Sequence, residues 1–209
     1  MALQERSLNM ARVLVACEFS GRVRDAFRMH GHDAWSCDLL PSDDMRYHLQ
    51  EDVFTLLDED WDLMVAHPPC TYLCSSGLHW NKRRPERAAL TEEALRDVRL
   101  LLAAPIPRIA LENPIGCIST RIRKYDQIIQ PHQHGHDASK ATCLWLKNLP
   151  PLRPTCHVPP RIVNGKPRWA NQTDSGQNRL PPSEDRWALR SETYRGIAIA
   201  MAEQWGPLL

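Results

Sequence analysis

The chain has 209 residues, of which 43% are hydrophobic and 24% are charged, and this composition suits one globular domain with a sizeable core. A formal net charge of +1 excludes a chain that is basic or acidic throughout, and no stretch reaches the roughly 18 apolar residues of a membrane span. Seven irregularly spaced cysteines predict free thiols in a reducing, cytoplasmic setting, and residues 1–10 lack the apolar core of a signal peptide.

The first predicted unit is a strand, a turn and a helix. Residues 12–17 form a short apolar run that ends in Glu18-Phe19-Ser20-Gly21, and apolar residues then recur at helical spacing from Val23 to Phe27. The turn has one glycine and lacks the GxGxxG spacing of a pyrophosphate-binding loop. A nucleoside without phosphates therefore suits this turn better than a dinucleotide does.

Two further strands are predicted between residues 32 and 66. Residues 32–37 form the second strand, which closes on Asp38, and residues 52–57 form a turn into a short helix before the third strand at 63–66. An acid after the second strand typically binds ribose hydroxyls, and Asp52 is placed to accept a hydrogen bond from an exocyclic amine. These acids meet the needs of an adenosyl group. Alternatively, Asp38 begins a turn and Asp52 caps the helix that follows it.

A thiol follows the third strand. The step Pro68-Pro69 fixes φ twice and cannot continue a sheet ladder, so the chain leaves the strand rigidly and holds Cys70 in a defined position. Because ligands bind at the carboxyl ends of strands in open α/β sheets, Cys70 is a candidate nucleophile. The alternative is a small hydrophobic residue buried under a loop. A basic loop follows, with Lys82, Arg83, Arg84 and Arg87.

A carboxylate ends the fourth predicted strand. Residues 92–103 have the pattern of an amphipathic helix, and residues 108–111 form a strand that ends on Glu112-Asn113-Pro114. Strands that alternate with helices predict an α/β fold with a doubly wound, mostly parallel sheet. The strand ends of such a sheet share one crevice, so Cys70 and Glu112 become a candidate pair.

The last third of the chain is basic and rich in proline. From Lys140 onward ten Lys or Arg stand against five Asp or Glu, which suits a polyanion on one face or, equally, a solvated basic surface. Residues 153–186 contain six prolines and two Asn-Gly or Ser-Gly turn signals, so a loop or small hairpin is expected. Trp169 and Trp187 each follow an arginine, and they either stack on a base or cover a small local core.

Two patterns remain near the end of the chain. His132, His134 and His136 alternate and would share one face of a strand, but with Cys143, Cys156 and His157 they match no closed zinc pattern, so no metal is assigned. Residues 193–205 have the pattern of an amphipathic closing helix, whose inward residues would be Ile197, Ala198, Met201 and Trp205.

Several of these motifs resemble those of DNA cytosine carbon-5 methyltransferases. Residues 17–21, Pro68-Pro69-Cys70 and Glu112-Asn113-Pro114 look like the first, fourth and sixth motifs of that family and stand in the same order. The chain is most similar to a short, mostly phage-borne branch. That similarity runs through residues 66–73, 111–116, 140–146 and 196–206.

The resemblance implies a Rossmann-like fold, S-adenosylmethionine as cofactor, DNA as substrate and a covalent mechanism. Cys70 would add to carbon 6 of cytosine as a thiolate, favoured by a nearby positive charge from His67, Arg83 or Lys140. Glu112 would protonate N3 and hold the exocyclic amine, with Asn113 fixing its loop. Cofactor-binding positions implied by the resemblance are Glu18, Phe19, Ser20, Gly21, Asp38, Leu39, Asp52, Val53 and Pro68.

The chain also departs from the larger family. It has Pro-Pro-Cys-Thr for Pro-Cys-Gln and Glu-Asn-Pro for Glu-Asn-Val, and Lys140 stands near the place of a missing Gln-x-Arg-x-Arg motif, as a point charge without the arginine fork. Only residues 153–186 lie between the predicted sheet and the closing helix, so a large target-recognition domain is not expected within them. We therefore expect a catalytic domain at 1–150, a minimal recognition insert at 151–188 and a closing helix at 189–209. A non-catalytic binding relic of the fold, a free deoxycytidine nucleotide as substrate and a modified methyl donor remain alternatives.

Overall fold

A seven-stranded sheet organises the protein, whose computed structural model describes residues 10–209. Its strands are β1 (Arg12–Ala16), β2 (Asp33–Cys37), β3 (His48–Leu49), β4 (Leu63–Ala66), β5 (Arg108–Pro114), β6 (Gln127–Ile129) and β7 (Thr142–Lys147). They lie in the order β3-β2-β1-β4-β5-β7-β6. The first five in that order pair in parallel, whereas β7 is antiparallel to both β5 and β6. The signal-peptide prediction concerns residues that lie, apart from the tenth, outside the described part.

Helices cover both faces of the sheet. They are α1 (Arg22–Met29), α2 (Ser75–Leu78), α3 (Pro85–Ala103), α4 (Ile118–Arg121), α5 (Arg186–Ser191) and α6 (Arg195–Trp205). Val13 and Val15 of β1 pack with residues of α1 and α6, whereas Leu14 packs on the opposite face with residues of α3. A central strand that is buried on both faces has to be apolar along its length, and for this reason the apolar run of β1 could be recognised in the sequence. The predicted fold class, a doubly wound, mostly parallel Rossmann-like α/β sheet, is confirmed.

The end of β5 differs from its prediction. The strand was expected to stop at Leu111, but it continues through Pro114 because β7 pairs with it in antiparallel register, with Glu112 opposite Leu144 and Asn113 opposite Cys143. Glu112 and Asn113 therefore lie within a paired strand. The hydrogen-bonded ladder, and not a loop, holds their backbone in place.

The basic loop after the thiol is also shorter than predicted. Helix α3 begins at Pro85 and not at residue 92, so Arg87 lies on its first turns. Proline suits the first helical turn because its missing N–H would have no helical partner there. Lys82 closes a short 3-10 turn, and Arg83 and Arg84 connect that turn to the helix.

The predicted histidine strand is wrong. Pro131–Gln133 form a 3-10 turn, which Gln133 closes by accepting a hydrogen bond from the backbone of Gln130. The ring of His132 stacks on Trp169 at 4.1 Å between centroids, and His134 contacts the Thr155 hydroxyl. Within residues 10–209, no three side chains of the metal-binding types converge.

The segment between β7 and α6 contains a small hairpin, as predicted. Strands β8 (Arg161–Val163) and β9 (Lys166–Arg168) pair through Asn164-Gly165, and both turn residues have positive φ, as a tight hairpin turn requires. The start of the segment is fastened to the closing helix by two hydrogen bonds of 2.8 and 2.9 Å between Arg153 and Gln204.

The closing helix α6 packs against α1 and buries the four residues predicted to face inward: Ile197, Ala198, Met201 and Trp205. Among the described helices, none combines the length and the apolar content that a membrane crossing needs. All seven cysteines lie in the described part and are free thiols.

Candidate active site

A cleft opens at the carboxyl ends of β1 and β4 and along the last residues of β5. It encloses about 560 Å³ of empty space, counting its open mouth. Four segments and one separate lysine line it: residues 17–20, 67–70, 112–114 and 190–193, with Lys140. The fold thus brings together side chains that are up to 176 positions apart, from residue 17 to residue 193.

The structure gathers the predicted catalytic residues in this cleft. Its lining includes Cys70, Glu112, Asn113 and Lys140, together with the predicted cofactor positions Glu18, Phe19, Ser20 and Pro68. The remaining predicted cofactor positions are outside the lining: Gly21, Asp38, Leu39, Asp52 and Val53.

Asp38 and Asp52 both bond the backbone, as their alternative interpretation predicted. Asp38 Oδ1 accepts from the N–H of Leu40, and Asp52 Oδ1 accepts from the N–H of Phe54 and caps a 3-10 turn. Each contact uses one carboxylate oxygen. Burial, assisted by the charges of these two acids and by Cys37, raises the pKa of Cys17, which lines the cleft, to about 12.

Glu18 is the most buried acid of the cleft. Its side chain follows β1, its Oε1 accepts hydrogen bonds from the N–H of Val23 and the hydroxyl of Ser20, and the residue is only 5% exposed. The second oxygen, Oε2, is buried and has no hydrogen-bond partner within residues 10–209. A buried carboxylate oxygen without a partner is costly, so this atom indicates a donor that arrives with a ligand.

Gly21 makes the turn into α1 possible. Its φ of +68° lies in the left-handed region, and a Cβ atom there would meet the guanidinium of Arg24 at 2.2 Å. Arg24 is itself buried and bonds Ser36 and the carbonyl of Asp44. The glycine therefore places the Glu18 turn beside a fixed internal cation.

Cys70 is exposed at the mouth of the cleft. Partial burial raises the pKa of its thiol, the neighbouring Cys74 and the carboxylate of Glu112 raise it further, and Lys140 opposes them. Of the three predicted sources of positive charge, Lys140 is thus the one that favours the Cys70 thiolate. His67 instead bonds Glu112, and Arg83 lies 6.0 Å from the ring centroid of Trp80.

Glu112 is held by a histidine. Its Oε2 lies 3.0 Å from Nδ1 of His67, and the two side chains are only 17% and 8% exposed. Burial acts to raise the pKa of Glu112, but the His67 hydrogen bond and charge and the charge of Lys140 outweigh it, so the pKa lies below its ordinary value. In the protein alone, Glu112 is a carboxylate at neutral pH.

Two contacts fix the thiol loop, residues 67–74 that follow β4 and carry Cys70, against β5 and the residues that follow it. Buried Asn113 donates from Nδ2 to the carbonyl of Pro68 over 2.7 Å. Gly116 passes so close to the loop that an added Cβ would lie 2.0 Å from the carbonyl oxygen of Leu73. The same carbonyl accepts from the N–H of Cys117. The thiol and the carboxylate are therefore built on one rigid unit.

Residues 190–193 cover the cleft, and the sequence did not indicate this role. The Nζ of Lys140 donates to the carbonyl of Arg190 over 2.7 Å, and Glu192 pairs with Arg22 of α1. The ring centroid of Trp187, in α5, lies 5.9 Å from that of Phe19. No local pattern marks this cover, because its contacts reach back 50 and 170 positions along the chain.

Comparisons with known proteins yielded one kind of match. No protein-family model and no curated protein matches the chain. Among solved structures, it is similar to one described as a DNA modification methyltransferase encoded within a prophage (E. coli), at 16% identity and a TM-score of 0.41. The match covers 65% of this chain and 46% of the other, so the chain spans about half the length of that neighbour.

Proposed function

We propose that the protein transfers a methyl group from S-adenosylmethionine to carbon 5 of cytosine in DNA through a covalent adduct of Cys70. The observation that carries this proposal is the convergence of a thiol and a carboxylate, Cys70 and Glu112, in one cleft at the strand ends of a Rossmann-like sheet. Both belong to motifs that resemble the cytosine carbon-5 methyltransferases.

The chemistry requires these two groups together. Carbon 5 of cytosine is too weak a nucleophile until the Cys70 thiolate forms a bond to carbon 6. That addition pushes electrons toward N3. Glu112 is a carboxylate in the protein alone, so it has to take up a proton from solvent when cytosine binds, and it then gives this proton to N3 while the carboxyl group also holds the exocyclic amine. Methyl transfer from the sulfonium to carbon 5 would leave the cofactor as S-adenosylhomocysteine. The carbon 5 proton then passes to solvent water, the bond between carbon 6 and Cys70 breaks to free the thiolate, and N3 returns its proton to Glu112.

The cleft has features that suit the cofactor. Within the cleft, Glu18 offers an unpartnered carboxylate oxygen. Asp38 and Asp52 lie outside the lining, and each keeps one oxygen that is not used in its backbone hydrogen bond. Carboxylates in these positions would bind the hydroxyl and amine donors of an adenosyl group. S-Adenosylmethionine, when bound, supplies an electrophilic methyl group on a sulfonium.

DNA is the proposed substrate because an exposed aromatic ring and a group of basic side chains follow Cys70 in the chain, before α3. Trp80 is 40% exposed, and the guanidinium groups of Arg83 and Arg84 lie 6.0 and 5.1 Å from its ring centroid. Exposed aromatic rings beside cations suit stacked bases and phosphates. We propose residues 151–188 as a minimal recognition insert and 1–150 and 189–209 as the catalytic unit around it.

The deciding experiment is transfer of tritium from methyl-labelled S-adenosylmethionine into duplex DNA, single-stranded DNA and deoxycytidine monophosphate. We expect label in DNA, recovered as 5-methylcytosine, that disappears with Cys70→Ser and persists with Cys156→Ser, which changes an exposed cysteine outside the cleft. Label in the mononucleotide alone would move the function to nucleotide modification. Cofactor and DNA binding without any label would identify a non-catalytic relic.

A further inference from the structure

His67 occupies a fixed place beside the carboxylate. Strands β4 and β5 pair in parallel, and Ala66, the last residue of β4, lies opposite Leu111. His67 and Glu112 follow these two residues in the chain and therefore lie side by side. The backbone N–H of His67 donates to the backbone carbonyl of Ala16, and this hydrogen bond extends the ladder between β1 and β4 by one residue. The backbone of His67 is therefore held by the sheet and not by a loop.

The imidazole has a single polar partner. Nδ1 bonds Glu112 Oε2, whereas Nε2 is buried and has no partner in the described residues. A buried nitrogen without a hydrogen bond lowers stability, so the fold gains little from a histidine here. The ring's polar contact is directed wholly at Glu112.

The hydrogen bond from His67 gives the two oxygens of the Glu112 carboxylate different roles. Nδ1–H of His67 donates to Oε2, the hydroxyl of Thr142 also helps to lower the pKa of Glu112, and Oε1 is the oxygen left to act on a substrate as acceptor or acid. A carboxyl group with one oxygen fixed cannot rotate freely, and a displacement of about 1 Å in a reacting group costs roughly 100-fold in rate. Orientation of Glu112 is therefore a function that this geometry can perform.

We propose that His67 is a positioning residue that acts through Glu112: its Nδ1–H holds Oε2 so that Oε1 meets N3 of the cytosine ring. This inference rests on the proposed function. It replaces the prediction that His67 supplies a positive charge to Cys70, because the imidazole is bonded to the carboxylate.

The test is a double-mutant cycle between positions 67 and 112. Release of tritium from DNA that carries [5-³H]cytosine, without methyl donor, reports addition of Cys70 and loss of the carbon 5 proton. We expect His67→Leu to slow this release by about 10- to 100-fold. His67→Asn, whose amide can donate from the place of Nδ1, should recover most of the rate. In a Glu112→Ala background, His67→Leu should have no further effect.

Two further measurements distinguish a role of His67 on Glu112 from a direct role on Cys70 or a purely structural role. Alkylation of Cys70 by iodoacetamide should proceed at the wild-type rate in His67→Leu. Slower alkylation, or an effect of His67→Leu that persists with Glu112→Ala, would show that His67 acts on the thiol and would overturn the proposal. A rate in His67→Asn as low as in His67→Leu, with both variants folded by circular dichroism, would overturn it as well.

Failure of the proposed function has a different signature. Wild-type protein that neither releases tritium nor methylates DNA would refute the cytosine chemistry itself. In that case the pairing is still measured by the hydrogen-bonded Nδ1–H proton resonance of His67 in NMR spectra, which should be present in the wild type and lost in Glu112→Ala. Its absence in the wild type would refute the contact on which the inference depends.

Discussion

The protonation state of Cys70 depends on two opposed charges. Glu112 raises the pKa of the thiol and Lys140 lowers it, while partial burial sets the larger upward shift. Because the pKa is raised, the thiolate fraction of the protein alone is small at neutral pH and grows as the pH rises through and beyond 9. The two charges can be removed one at a time.

We expect Lys140→Met to slow the alkylation of Cys70 at pH 8 and Glu112→Gln to accelerate it, each by about 2- to 10-fold, since one pKa unit changes the thiolate fraction tenfold. Mass spectrometry of the labelled peptides gives both rates. Cys156, which is exposed and outside the cleft, serves as the internal control. Equal rates in the two variants would contradict this electrostatic account.

Asn113 offers a test of the clamp on the thiol loop. Asn113→Ala leaves the carbonyl of Pro68 without its donor, so the free energy of unfolding should fall by about 1 to 3 kcal/mol in urea titrations. The control is Asn178→Ala, an exposed amide that accepts from the N–H of Leu180 and whose loss should cost less than about 0.5 kcal/mol. Equal losses for both variants would argue against a special role for the buried amide.

At the level of elements, the close approach of Gly116 joins two segments that the chain separates by more than forty positions. Gly116→Ala places a Cβ atom against the backbone of Leu73, which cannot move aside as a flexible side chain can. We expect the thiol loop to shift and methyl transfer to fall by at least about 10-fold.

Gly77→Ala is the matched control for that substitution. Its Cβ meets the end of the Arg87 side chain at 2.4 Å, and that guanidinium can move away. Activity within about twofold of the wild type is expected, measured as initial rates of methyl transfer beside circular dichroism spectra. If both glycine variants lost activity equally, the backbone contact at Leu73 would not be the cause.

The elements also show what the sequence could and could not reveal. Strands β1 and β4 could be predicted because burial on both faces demands a continuous apolar run. Helix α6 could be predicted because burial of one face demands apolar residues at helical spacing. The extension of β5 was not, because it depends on pairing with β7, whose residues come about thirty positions later. The start of α3 had a local signal in Pro85, which the surrounding basic residues obscured.

The same distinction applies to the candidate site. That Cys70 and Glu112 share one cleft was predictable, because each follows a buried apolar run of the parallel sheet, although Glu112 itself lies within the extended β5. The bond between His67 and Glu112 depends on the register of two strands, and the cover at residues 190–193 depends on contacts with Lys140 and Arg22. Neither the hydrogen bond nor the cover corresponds to a periodic pattern in the sequence.

For the whole molecule, two groups of positive charge can be compared, one at the carboxyl ends of the strands and one at their amino ends. Lys82, Arg83 and Arg84 follow the thiol loop, on the side of the cleft, whereas Arg12 begins β1 at the amino ends and pairs with Glu59. DNA that binds over the cleft would contact the first group and not Arg12. Salt dependence distinguishes the two groups, because each phosphate contact contributes about 0.9 to the slope of log affinity against log salt.

We expect replacement of Lys82, Arg83 and Arg84 by alanine to reduce that slope by about 1 to 3 and to weaken binding of duplex DNA across sequences. Arg12→Gln should leave the slope unchanged. Fluorescence anisotropy over a range of salt concentrations supplies both values. An equal change in the Arg12 variant would place the DNA elsewhere on the molecule.

The paired hydrogen bonds between Arg153 and Gln204 have a consequence for engineering. They anchor the start of the hairpin segment to the helix that resumes the fold, and the seven-stranded sheet is already complete at β7. A longer segment grafted between residue 153 and α5 would enter and leave without redirecting any strand. Under the proposed assignment of residues 151–188 as the recognition insert, exchange of this segment would change the DNA sequence that is methylated, while Cys70, Glu112 and His67 keep their places in the sheet.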